Sequence, residues 1–137
     1  MTSYTLATTI NTGYDDSVSR TRAALAGQGF GVLTEIDVAA TMKTKLDLDM
    51  PPHVILGACN PTLAHAALSV EPSIGVLLPC NVVVRAIDDT HTLIEAMDPA
   101  VMISATGNPA LTDIADDART RLTAALDTLN AVHGATE

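Results

Sequence analysis

The sequence predicts an α+β domain, a mainly antiparallel sheet of about five strands with helices packed on one face. Three observations predict it. Strand-like apolar runs alternate with helical ones in the order β-α-β, then strand-helix, a β-hairpin and a closing helix. Residues 73 to 98 read as adjacent antiparallel strands, which fits a doubly wound parallel sheet poorly. The closing helix carries its apolar residues on one stripe only, as a helix lying on a sheet does.

The elements follow in order. Residues 3 to 10, "SYTLATTI", are β-prone, and "NTGYDDS" supplies turn residues. Asp15 or Asp16 is expected to cap a helix over about 16 to 28, with Val18, Ala24 and Leu25 at helical spacing. "GQGFG" ends it, offering Gly27 or Gly29 for a left-handed cap. "FGVLTEIDV" reads as a strand. "AATMKTKLDLDM" reads as a short helix with Met42, Leu46 and Met50 along one side, Met42 and Met50 as core, stopped by Pro51-Pro52.

"HVILGAC" is too apolar for an exposed edge and reads as a buried strand. Asn60 is a good N-cap and Pro61 a good first residue, so a helix is expected from about 61 to 70. "GVLLPCNVVVRAID" is strand-like but interrupted by Pro79, which cannot donate a ladder hydrogen bond, so a bulge or kink is expected there. "DDT" makes a hairpin into "HTLIEAMDP", where Thr92, Ile94 and Ala96 alternate with Leu93, Glu95 and Met97. Asn108-Pro109 opens a final helix from about 109 to 132.

The length of 137 residues suits one domain spanning 1–137. Tyr4, Tyr14 and Phe30 are the only aromatics, so the core must be built from Val, Ile, Leu, Met and Ala. Stacking platforms for single-stranded nucleic acid are therefore missing. The net charge of −9, with five arginines and two lysines scattered along the chain, excludes a basic patch for phosphates and disfavours anionic membranes. No basic-then-apolar leader and no span-length apolar stretch is present. The expectation is a soluble cytoplasmic protein with reduced thiols. Strands apolar on both sides favour burial of the second sheet face in a homo-oligomer.

The most distinctive pattern is a doublet. Cys59-Asn60-Pro61 and Pro79-Cys80-Asn81 contain both cysteines of the chain, each followed by asparagine. Cys59 ends a strand at a helix N-terminus, where backbone N–H groups and the helix dipole favour a thiolate. Strand period puts His53, Ile55, Gly57 and Cys59 on one face. Glu35 and Asp37 share a face of their own strand, followed closely by Lys43 and Lys45. The ligand-binding candidates are therefore Cys59, Asn60, Cys80, Asn81, Glu35, Asp37 and Lys45.

Plainer readings stand beside these. Free cysteine is among the most buried residue types, so both thiols can be small core residues. Asn60 can be a cap and nothing more. Glu35 and Asp37 can simply cap a helix or pair with Lys43 and Lys45. His65, His91 and His133 read as surface or packing residues. A structural disulfide is disfavoured by a reducing compartment. Cys-x-x-Cys and His-x-x-x-His spacings are absent, so the candidate metal set reduces to Cys59 and Cys80 with His53. No phosphate-cradling loop and no nucleophile elbow occurs.

"TEIDV", "KLD", "ILGACNPTLAHAAL", "IGVLLPCNVVV" and "AMDP" together resemble the family called Domain of Unknown Function 302. The resemblance runs from "GYDDSVSRTRAAL" to the last helix, and the cysteine doublet is its most specific element. It implies a compact α+β domain that forms homodimers, and no activity.

Two functions of different class follow. One is a small dimeric module that binds a small molecule, metal or cofactor in a pocket at the two Cys-Asn turns. The other is a thiol-dependent redox enzyme with Cys59 as nucleophile and Cys80 as resolving residue. The sequence shows no general base beside Cys59, which favours the first.

Overall fold

Five strands form one sheet in the order β1-β5-β4-β3-β2 in a computed structural model that describes residues 4–135. They are β1 (Thr5–Ile10), β2 (Gly31–Asp37), β3 (His53–Cys59), β4 (Cys80–Ala86) and β5 (Thr92–Met97). Every neighbouring pair is antiparallel, as the sequence predicts. The helices are α1 (Tyr14–Gly27), α2 (Val38–Leu46), α3 (Pro61–Val70), α4 (Ala100–Thr106) and α5 (Thr112–Ala135).

Strand alternation decides where the core lies. Val54, Leu56 and Ala58 of β3 stand opposite Val84, Val82 and Cys80 of β4. Val84 and Val82 in turn face Ile94 and Ala96 of β5. These seven residues and Cys80 are all buried, because this is the face that the helices cover. Leu25 of α1 and Leu122, Ala125, Leu126 and Leu129 of α5 pack into the same cluster. Each large aliphatic side chain so buried contributes about 1.5–3 kcal/mol. The opposite phase, carrying Ile55, Val83 and Leu93, stays half-buried on the uncovered face.

A second, smaller cluster holds Ala67 of α3, Ile74, Met102 of α4, and Leu111 and Ala115 near the start of α5. The first half of α5 thus serves one cluster and its second half the other.

Several local expectations need correction. Gly13, not Asp15 or Asp16, occupies the N-cap of α1; both aspartates lie in the first turn, where the positive helix end favours them. α2 ends at Leu46, because Asp47 turns left-handed at φ 55°, well before Pro51-Pro52. It buries no residue, so Met42 and Met50 are half-covered and not core. Pro72–Leu77 is a 3-10 helix and the Leu78–Pro79 peptide is cis, so β4 starts only at Cys80. The register irregularity lies in β2, between Val32 and Thr34, and not at Pro79. Asn108-Pro109 opens a 3-10 turn over Pro109–Leu111, with α5 starting at Thr112. α4 is absent from the sequence reading, because "AVMIS" shows no cap signal: Pro99 holds the cap position without a side-chain bond. His133 lies outside the residues whose side chains are described.

Candidate functional site

Both halves of the cysteine doublet come to one end of the sheet. Cys59 closes β3 opposite Gly31, and Cys80 opens β4 opposite Ala58. The thiols are therefore one rung apart on neighbouring strands and in opposite phases of the pleat. Neither forms a disulfide; Cys80 is buried and Cys59 half-buried.

Asn60 does what its position predicts. Its Oδ1 accepts from the Leu63 N–H at 3.2 Å, capping α3, with Pro61 in the first turn. The cap takes an amide that would otherwise face solvent or a neighbouring anion. On its other side Asn60 meets the turn between α1 and β2, where Gly29 has φ 83°. Arg121 of α5 holds the same turn, donating Nη1 to the Gln28 carbonyl at 3.3 Å and Nε to Asp117 at 2.9 Å.

A cleft opens between these pieces and is lined by both cysteines, Asn60, Phe30, Met102 and Ala118. Mouth included, it spans about 360 Å³, while its interior leaves about 20 Å³, room for about one water. It lies between the two hydrophobic clusters: Phe30 and Ala58 belong to the larger, Ala67 and Met102 to the smaller. Burial, reinforced by the nearby Cys59, pushes the Cys80 thiol up to about 11. At neutral pH it is a neutral, weakly polar wall of the cleft.

The other candidates lie elsewhere. Asn81 faces Gly57 on the uncovered side and is exposed, outside the cleft. Gly57 is there because a Cβ would collide with Thr34 Oγ1 and stand 2.9 Å from Pro79 Cγ. His53 is six residues from Cys59 along β3, about 20 Å away, so it cannot share a metal with the two cysteines. Burial and the neighbouring Arg85 lower its pKa. Among the described residues no group of three or more His, Cys, Asp or Glu is arranged to hold a metal ion.

Glu35, Asp37 and Lys45 line a shallow surface groove away from the cysteines. Asp37 pairs with Val54, five residues from Cys59, about 17 Å along the strand. Its Oδ1 caps α2 by accepting from the Ala40 N–H at 2.9 Å. Glu35 accepts from Arg22 of α1, not from a lysine, and Lys43 pairs with Asp47 and Asp49. The carboxylates therefore have structural partners and do not join the doublet. Sequence reasoning missed Phe30, Leu63, Met102 and Ala118 as cleft walls; only the helical stripe containing Ala118 carried a signal, and it read as core.

Two comparisons with known proteins agree with this architecture. The family model described as "Domain of unknown function DUF302" matches residues 6–129. The crystal structure of an uncharacterised conserved DUF302 protein from Bacillus stearothermophilus superposes with a TM-score of 0.85 at 33% sequence identity, covering 93% of this chain and 99% of that one. No curated protein matches the chain.

Proposed function

The chain belongs to the DUF302 family, whose name carries no activity, and from the site's geometry we propose a small single-domain homodimer that binds a small ligand in the cleft at its two Cys-Asn turns. The observation that carries this reading is the convergence of Cys59, Asn60 and Cys80, from two strand ends, on one cleft between two hydrophobic clusters. Ligand pockets favour such seams, concave and mostly apolar with few polar groups.

The dimer reading draws on surface composition. β2 and the segment after it expose Leu33 (68%), Ile36 (49%), Leu46 (60%) and Leu48 (55%). A nine-residue helix that buries nothing is marginal by itself and gains from a covering surface. A second copy supplies one, and light scattering should return twice the chain mass. Acidic surface and free thiols fit a cytoplasmic protein that binds neither nucleic acid nor membranes. No helix among the described residues is long and apolar enough to cross a membrane.

The thiol-enzyme alternative uses the same side chains with less support. The two thiols stand one rung apart without forming a disulfide. A thiol at about 11 is a poor participant in exchange at neutral pH. The test is a thermal-shift screen of purified protein against metals, cofactors and small molecules. A hit whose shift disappears in Cys80→Ala and Ala118→Leu supports the cleft; a screen with no such hit removes it.

A further inference from the structure

We propose that the ligand of this cleft is an uncharged, apolar molecule, admitted where the two hydrophobic clusters separate. The inference rests on the binding reading above and names its ligand class. The lining contains no Asp, Glu, Lys, Arg or His. Its one polar side chain is Asn60, whose Oδ1 is committed to the cap of α3 and whose Nδ2 packs beside Gly29. A charged ligand would lose its hydration with no charged side chain in the lining to replace it.

The surroundings share this character. From Val54 to Val84 the only Asp, Glu, Lys or Arg is Glu71, in a chain with 16 acidic and 7 basic residues. The Glu71 carboxylate accepts from Asn108 at 3.0 Å. The same stretch exposes Leu68, Val70 and Val76, the last by 88%. Of the elements at the cleft, α3 and the 3-10 helix after it thus bring a single carboxylate, while the Arg121–Asp117 pair of α5 flanks the Asn60 side.

The walls explain how a ligand fits where about 20 Å³ is now free. Ala58, Ala64, Ala67 and Ala118 contribute only methyl groups. Moving α3 and α4 outward widens the cleft by drawing Ala67 and Met102 away from Ala118 and from Leu111 and Ala115, and leaves the packing of the larger cluster intact. Cys80, buried between them with its raised pKa, adds a neutral thiol wall.

The probe is N-phenyl-1-naphthylamine, which is uncharged, set against anionic 1-anilinonaphthalene-8-sulfonate on the full chain. The expected result is saturable fluorescence enhancement by the neutral probe. Ala118→Leu should weaken it at least about tenfold, the exposed Ala105→Leu should leave it unchanged, and the anionic probe should bind at least about tenfold more weakly. If Ala118→Leu fails to fold, Ala64→Leu on α3 fills the cleft from the other wall. Neutral-probe binding indifferent to both variants overturns the proposal. So does an anionic probe, or a metal ion, that binds as tightly and is lost in the same variants, in which case the site stands and only its ligand class falls. No variant-sensitive binding of any of them removes the site itself.

Discussion

The side-chain amide of Asn60 lies against the bare Cα of Gly29, so closely that a Cβ there would stand 3.0 Å from Nδ2. One residue caps α3 and the other turns the chain from α1 into β2, with Arg121 completing the contact. Gly29 is also at φ 83°, where an L side chain is strained. Gly29→Ala should destabilise the protein by about 1–3 kcal/mol, read as a lower midpoint in urea with an unchanged m-value. An unchanged midpoint would show that the turn has slack.

Asn60→Ala removes the acceptor of the Leu63 N–H and should cost about 1 kcal/mol. Asn60→Asp keeps the acceptor and adds charge at the positive helix end, so the cap itself should survive. Equal losses in both variants would mean that Asn60 matters through its Nδ2 contact and not through the cap.

Cys80 should make stability fall at alkaline pH. Its thiol ionises near 9.0 in the unfolded chain and near 11 in the fold. Between these values the unfolded state gives up its proton first, so stability is complete below about pH 9 and falls as pH rises toward 11. The full loss is about 2–3 kcal/mol. Cys80→Ala should abolish this component, measured as the difference between the two urea-stability curves from pH 8 to 11. Parallel curves would show that Cys80 is more hydrated than its burial suggests. The same shift predicts that Cys80 resists alkylation at neutral pH.

The exposed segment from β2 through α2 should exchange its amide hydrogens quickly in dilute protein, since α2 buries nothing. Dimerisation through this surface should slow that exchange at least about tenfold at high concentration, and Leu46→Glu should reverse the slowing. Protection that does not vary with concentration would remove this segment from any interface.

The strands were legible because their chemistry is local. "HVILGAC" is apolar enough to be buried wherever the chain puts it, and Asn60-Pro61 sets a cap and first turn within three residues. "GVLLP" misled because Val76, Leu77 and Leu78 make an apolar run that reads as a strand, while Pro72 opens a 3-10 helix over Pro72–Leu77. Ile74, buried in the smaller cluster, fixes that helix in place, so packing overrode the strand-like run. The site was half legible. The Cys-Asn doublet marks the cleft, but its other walls, Met102 and Ala118, are ordinary core types brought in by helices distant in sequence. Glu35, Asp37 and His53 join it in the sequence only through strand period and residue chemistry, and the strand register places Glu35 at mid-strand and Asp37 and His53 toward the far end of the sheet.

The claim that this cleft is the binding site is tested most directly by methyl NMR. Protein labelled at alanine and methionine methyls is titrated with N-phenyl-1-naphthylamine. Saturable shifts centred on Ala58, Ala64, Ala67, Ala118 and Met102 are predicted, with the alanine methyls of the uncovered sheet face, such as Ala7, unmoved. Shifts centred on that uncovered face, or none that saturate, would contradict it.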